Sequence, residues 1–410
     1  MKKLFALLLS LAMVLALVAC GQKDPTPDTP DTPDDPQPKV EYKVAMITDY
    51  GDITDQSFNQ TTYEACKAFA EDNSIEFSYF KPAGDNTADR VAMIEKAVDE
   101  GFNVIVMPGY AFGGAIVEAA PEFPDVKFIA LDVAAGDLLE TAVAKAGEAY
   151  DYTPENWDLN KYVDMSNVYC AVYQEELCGY MAGYAAVKLG YKSLGFLGGM
   201  SVPAVVRYGY GFVQGVDAAA ADLGLTDVKL NYIYGGQFFG DADITAVMDT
   251  WYQGGTEVVF ACGGGIYTSA VDAAKKVGAK VIGVDVDQAG VIANYAGVDG
   301  MTVTSAMKGL YPATYDTLTD VIVNGNWDKY VGKIETLGLV SGTDPEANYV
   351  QIPMGDGTQW SDSFTQDDYK AMVKDMFDGK ITVSNNTSSD VSAADFATVI
   401  TVDDQGSIKG

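Results

Sequence analysis

From Tyr42 onward the chain alternates short apolar runs with longer segments whose apolar residues recur every three or four positions. Strands that alternate with helices in this way predict parallel sheets covered by helices, an α/β architecture. Val44-Ala45-Met46-Ile47 predicts a strand, and Ser57 with Gln60 predicts a capping box opening a helix through Ala70. Over Thr87 to Glu100 the positions Val91, Ile94, Ala97 and Val98 fall on one helical face, and Gly101 stops the helix.

The same pattern occurs twice. NVIVMPGYAFGGAIVEAA, starting at Asn103, resembles EVVFACGGGIYTSAVDAA, starting at Glu257, in its strand, glycine-rich turn and helix. The next strands also correspond, Phe128 to Val133 with Val281 to Val286, which places Asp132 and Asp285 at equivalent strand ends. Two similar lobes facing each other are expected. Open parallel sheets bind ligands beyond the carboxyl ends of their strands, so a shared cleft between the lobes is the expected site.

The one long apolar run is N-terminal. Lys2 and Lys3 precede Leu4 to Ala19, which has the charged start and short apolar stretch of a secretory signal and falls short of a membrane span. It ends in Leu17-Val18-Ala19-Cys20, which resembles the lipobox of bacterial lipoproteins, so Cys20 is the expected site of lipidation. KDPTPDTPDTPDDPQPK, starting at Lys23, has nothing to bury and predicts an extended, self-repelling tether.

Composition narrows the chemistry. The formal charge is −32, and only Arg90 and Arg207 supply guanidinium groups, which argues against a nucleic-acid partner. Histidine is absent, so Ser-His-Asp and Cys-His machinery and His-containing zinc sites cannot be built. Cys66, Cys170, Cys178 and Cys262 lack metal-ligand spacing and read as small buried hydrophobes. Neither a metal nor a cofactor is expected. Gly263, Gly264 and Gly265 leave room for close approach to a ligand but lack the lysine of a phosphate loop.

KVAMITDYGDITDQSFNQTTYEACKAFA, beginning at Lys43, resembles the basic membrane protein family, also called PnrA-like. Further matches follow in order: Gln174-Glu175-Glu176 before GYMAGYAA, GFLGGMSVPAVVRYGYGFVQGV, FFGDAD, ACGGG, VIGVDVDQ, SAMKG and DGKITV. The resemblance spans Val44 to Val383. It implies a type I periplasmic-binding-protein fold, two doubly wound parallel-sheet lobes joined by a hinge of crossing strands. It also implies a substrate-binding lipoprotein of an ABC importer rather than an enzyme, capturing a nucleoside, and among nucleosides a purine one, for a membrane permease. Carried over, Phe58 and Phe238 would sandwich the base, Asn59 would hydrogen-bond the ligand, and Asp132 would read the base edge. Asp285 and Lys308 would grip the ribose. Apart from the resemblance, Asp49 and Asp52 are cleft candidates by their place near the end of the first strand, and Gly263 and Gly264 by the room they leave for a ligand.

The expected organisation is a signal peptide over 1–20 and a tether over 21–41. The N-terminal lobe would comprise 42–167 and about 288–320, and the C-terminal lobe about 168–287 and 321–410. The expected location is extracytoplasmic, anchored by lipid to the cell membrane. Three alternatives bear on this picture. Phe239 and Tyr234 compete with Phe238, and Asp287 with Asp285. The long segment from Ala134 to Asn167 directly follows Asp132, where a lid would border the base pocket. In function, the alternatives are a surface sensor or a binding protein for another solute such as a sugar, and a nucleoside hydrolase built on Asp285 and Asp287.

Overall fold

The computed structural model describes residues 41–409; the signal segment, Cys20 and the tether as far as residue 40 lie outside the described residues. The chain runs β1 (Lys43–Ile47), α1 (Phe58–Asn73), β2 (Glu76–Phe80), α2 (Thr87–Asp99), β3 (Val104–Pro108), α3 (Gly113–Ala119), β4 (Lys127–Leu131), α4 (Ala135–Lys145), α5 (Leu159–Tyr162) and β5 (Val168–Tyr173). It continues with α6 (Glu175–Lys188), β6 (Ser193–Gly198), α7 (Pro203–Asp222), β7 (Lys229–Tyr234), α8 (Ala242–Gln253), β8 (Val258–Cys262), α9 (Tyr267–Val277), β9 (Lys280–Asp285), α10 (Ala289–Ala296) and β10 (Thr302–Lys308). After these come α11 (Leu310–Leu318), β11 (Lys333–Leu337), β12 (Val350–Gln351), α12 (Gln366–Phe377) and β13 (Thr401–Ser407).

Two sheets result, ordered β11-β5-β4-β3-β1-β2 and β12-β10-β9-β8-β6-β7-β13. All pairings are parallel except that of β12 with β10. The central five strands follow the same order in both sheets, β2-β1-β3-β4-β5 and β7-β6-β8-β9-β10. The repeat seen between β3–α3 and β8–α9 therefore extends over whole lobes, each doubly wound with its switch point beside the first strand.

The chain passes between the sheets three times: after β5, after β10, and between β11 and β12. The crossings are tied together by Gln174 N–H donating to Leu337 O (3.0 Å), Gly309 N–H to Tyr349 O (2.7 Å) and Tyr349 N–H to Gly338 O (3.0 Å). This partition corrects the boundaries read from sequence. β5 pairs with β4 in the first sheet, β10 with β9 in the second, and β11 returns to the first. The first lobe is thus 42–173 with 310–337, and the second 175–308 with 350–409. A crossing occurs where a sheet edge is complete, and local hydrophobic pattern carries no record of which edge a strand joins.

The expected capping box also gives way. Ser57 stands at the N-cap of α1, but its side chain makes no capping bond. Asp55 does the capping, its carboxylate accepting from the backbone N–H groups of Ser57, Asn59 and Gln60 at 2.9, 2.9 and 3.1 Å, which leaves the Ser57 hydroxyl free for the cleft. α2 follows expectation: Asn86 caps it at Asp89 N, and Gly101 adopts φ 88° just past its end. The four cysteines are free and buried.

In the second lobe α6 and α7 touch through backbone. Each carries two glycines four residues apart, and a Cβ on Gly179, Gly183, Gly211 or Gly215 would lie 2.3, 2.4, 2.1 and 2.1 Å from a carbonyl oxygen of the facing helix. Only hydrogen fits at such contacts. Gly211→Ala is expected to cost about 1–3 kcal/mol of stability as overpacking, net of the ~1 kcal/mol by which alanine favours a helix. Denaturant unfolding checks this, and a variant as stable as the parent would show that the helices part without cost.

Candidate ligand-binding site

Between the carboxyl ends of the two sheets lies a cavity of about 400 Å³, a volume within the range of small-molecule sites. The residues expected at the ligand line it: Asp49, Asp52, Phe58, Asn59 and Asp132 from the first lobe, and Phe238, Gly263, Gly264, Asp285 and Lys308 from the second.

The strand ends explain how the two aspartates point inward. Asp132 follows β4 and Asp285 ends β9, and both take left-handed backbone conformations, φ 60° and 64°. Aspartate tolerates this region better than most side chains. The left-handed turn rotates each carboxylate off its strand towards the cleft. The sequence repeat is thus also a conformational one.

Phe238 is held by an absence of side chains. A Cβ on Gly199 would lie 2.3 Å from its ring, and one on Gly263 2.8 Å, so the ring packs directly against two glycines of the β6 and β8 turns. Its neighbour Phe239 is 56% exposed and pairs by backbone with Gly265. Both border the cavity, but Phe238 is the packed ring. Tyr234 is buried, its hydroxyl paired with Tyr232 at 2.8 Å, and does not line the cavity. Asp287 points away and accepts from Ala289 N–H at 3.0 Å. Asp285 and Asp287 therefore do not meet at the cavity.

Lys308 sits at the electrostatic centre and is 5% exposed. Its Nζ lies 2.5 Å from Asp132 Oδ2, 3.5 Å from Glu175 Oε1 and 3.8 Å from Asp285 Oδ1, and 4.6 Å from the centre of the Phe58 ring. Burial opposes its charge, but Asp132, Asp285 and Glu175 together raise its pKa above the ordinary lysine value, so it stays protonated. Asp285 accepts from Ser57 Oγ across the cleft at 2.6 Å and from the Tyr208 hydroxyl at 3.2 Å. A second bond across the cleft runs from Gln288 Nε2 to Gln56 O at 3.1 Å.

On the first lobe, Asp49 is buried and accepts from the N–H groups of Tyr50 and Gly51 at 2.6 and 2.7 Å. Burial raises its pKa, and those backbone bonds resist the rise. Asn59 Nδ2 donates to Asp49 Oδ1 at 3.3 Å and Asp55 Oδ2 at 3.1 Å. Asn59 Oδ1 and Asp132 Oδ1 are buried and without a hydrogen-bond partner. Buried acceptors are seldom left unpaired, and these two belong to residues that line the cavity.

Sequence reasoning missed Ser57, Tyr208, Glu175 and Arg207 as parts of this network. All four stood inside quoted family blocks, but nothing local distinguished Ser57 and Glu175 from helix-start residues or Arg207 and Tyr208 from other residues of their helix. The Ala134–Asn167 segment, in contrast, is no lid: it forms α4, α5 and the turns between them, packs Tyr150 against Trp157 at 5.7 Å, and contributes nothing to the cavity lining.

Three acids around this region are pushed up by burial: Asp132, where the Lys308 ammonium opposes the rise, Asp137 to about 7 and Glu176 to about 7. The folded protein therefore holds protons that the unfolded chain releases from about pH 4 upward, so stability falls as pH rises through about 4–7. The melting temperature of the unliganded protein is expected to be higher at pH 5.5 than at pH 7.5. An equal or lower value at pH 5.5 would show that these groups ionise freely.

A family model described as "ABC transporter substrate-binding protein PnrA-like" matches residues 42–343. The ABC transporter nucleoside-binding protein BmpA of Lactococcus lactis subsp. cremoris is 24% identical over 389 residues, covering 92% of this chain and 96% of that protein. Basic membrane protein B of Borreliella burgdorferi is 26% identical, covering 76% and 83%. Among solved structures, an ABC transporter solute-binding protein from Aeropyrum pernix superposes with a TM-score of 0.60 at 20% identity, covering 84% of this chain and 88% of that one, a likeness of fold. Among the described residues no helix is long and apolar enough to cross a membrane. With two doubly wound lobes enclosing a lined cleft and a family match over most of its length, the chain belongs to the PnrA-like family of ABC transporter substrate-binding proteins, which bind and do not catalyse.

Proposed function

We propose that this protein captures a nucleoside, a purine nucleoside in particular, in the cleft and delivers it to an ABC permease, while tethered to the outer face of the membrane through a lipid on Cys20. The observation that carries the reading is the pairing of unlike walls. Phe58 from one lobe and Phe238 from the other supply apolar faces for a base, and stacking is worth about 1–3 kcal/mol per base. Beside them, Asp285 and Lys308 offer an acceptor and a donor suited to vicinal hydroxyls, and the unpartnered Asn59 Oδ1 and Asp132 Oδ1 await N–H donors. The name of the Lactococcus lactis relative points the same way. Because the lining comes from both lobes, a ligand favours the closed arrangement, and hinge closure is the mechanism of capture.

A thermal-shift series with inosine, guanosine and adenosine against glucose, galactose and amino acids tests this. A ligand at a hundred times its Kd stabilises by about 2.7 kcal/mol, so at least one nucleoside is expected to raise the melting temperature by several degrees. A response to sugars or amino acids and to no nucleoside would refute the substrate.

A further inference from the structure

Of the three carboxylates around Lys308, only Asp132 comes from the first lobe; Asp285 and Glu175 share the second lobe with the lysine. When the lobes part, the 2.5 Å contact to Asp132 must break. What then holds the ammonium is set within the second lobe. Glu175 is the first residue of α6, one step past a hinge crossing, and it is fully buried. Its two oxygens are divided: Oε2 accepts from Arg207 Nε at 2.7 Å, and Oε1 faces Lys308 Nζ at 3.5 Å.

We propose that Glu175, itself held by Arg207, is a positioning residue that keeps Lys308 charged and aimed at the ligand's hydroxyls through opening and closing. The division of labour follows from charge. A lone buried carboxylate at this distance would bind the lysine as a closed pair, but Arg207 takes up one oxygen and part of the charge. Lys308 is thereby retained without being sequestered, and it can exchange Asp132 for a ligand oxygen. Glu175 acts through Lys308 and does not itself line the cavity. Lysine has three donors; Glu175 and Asp132 take hydrogen bonds from it and Asp285 stands at 3.8 Å, so a donor is left for a ligand even before Asp132 is exchanged.

The inference rests on the nucleoside reading above, and the test separates the two. Calorimetric titration of the full chain with inosine and with 2′,3′-dideoxyinosine first shows whether the hydroxyls matter. A parent protein that binds neither, or both alike, would remove the ribose grip and the inference with it. With that contrast established, Glu175→Gln is expected to weaken inosine binding by roughly ten- to hundredfold, the worth of one charge-assisted contact, and to leave dideoxyinosine unchanged. Glu175→Gln combined with Arg207→Gln removes both charges together and keeps the balance; it is expected to show the same selective loss. Unchanged inosine binding, equal losses for both ligands, or recovery in the double variant would each overturn the proposal. If the single variant does not fold, the double variant decides by the same contrast.

Discussion

Replacing Lys308 with methionine is expected to lower the stability of the unliganded protein by about 3–5 kcal/mol, the cost of removing one partner from a buried ionic cluster. Methionine fills much of the same volume, so the loss is electrostatic rather than a packing defect. The substitution leaves Asp132, Glu175 and Asp285 facing one another, with Arg207 holding only the far oxygen of Glu175. Carboxylates in that position take up protons, so the loss should be larger at pH 8 than at pH 5, where protonation relieves it. Adding Asp132→Asn to Lys308→Met should restore part of the stability by removing one stranded charge. Denaturant unfolding at both pH values measures this. A loss below about 1 kcal/mol at pH 8, the level of an exposed ion pair, would show that water reaches the cluster.

Asp285→Asn is expected to weaken nucleoside binding about a hundredfold, equivalent to roughly 3 kcal/mol for charge-assisted bonds to the ribose hydroxyls. The choice of asparagine follows from the backbone. Asp285 stands at φ 64°, where asparagine is tolerated and alanine is strained, so Asp285→Ala would confound a lost contact with a distorted strand end. Asparagine also keeps an oxygen for Ser57 or Tyr208, which limits the effect on folding. Titration with inosine, with circular dichroism as a folding control, gives the result. An affinity within about threefold of the parent, under 1 kcal/mol, would place the ribose elsewhere in the cleft. Phe58→Ala offers a comparison of another kind, since stacking depends on ring area and should be lost to a similar degree with every base.

Much of this site was legible before the fold. The strand and helix alternation specified an α/β architecture, because periods of two and of three to four follow directly from backbone geometry. The repeat at Asn103 and Glu257 set Asp132 against Asp285, and the glycines near Gly263 marked a close approach. Residues whose role depends on one element, or on the same element used twice, can be read along the chain. The repeat favoured Asp285 over Asp287, but that Asp285 lines the cavity while Asp287 does not, and that Phe238 is the packed ring beside Phe239, needed the orientation of one residue relative to the next. A left-handed φ decided the first, and a floor formed by Gly199 and Gly263 decided the second.

What the sequence determined by itself was the alternation of elements, the duplicated lobe, the absence of histidine chemistry and the family blocks that contain the cleft residues. Tertiary structure alone decided where the chain crosses between lobes, that Ser57 bonds Asp285 instead of capping its own helix, that the segment after Asp132 packs away from the cavity, and that Glu175 and Arg207 stand behind Lys308. The crossings, the Ser57 bond and the Glu175–Arg207 support each join residues more than thirty positions apart. Local pattern encodes the energy of a segment against water and its own backbone; the energy of a buried charge is set by which other charges the fold brings within a few ångströms.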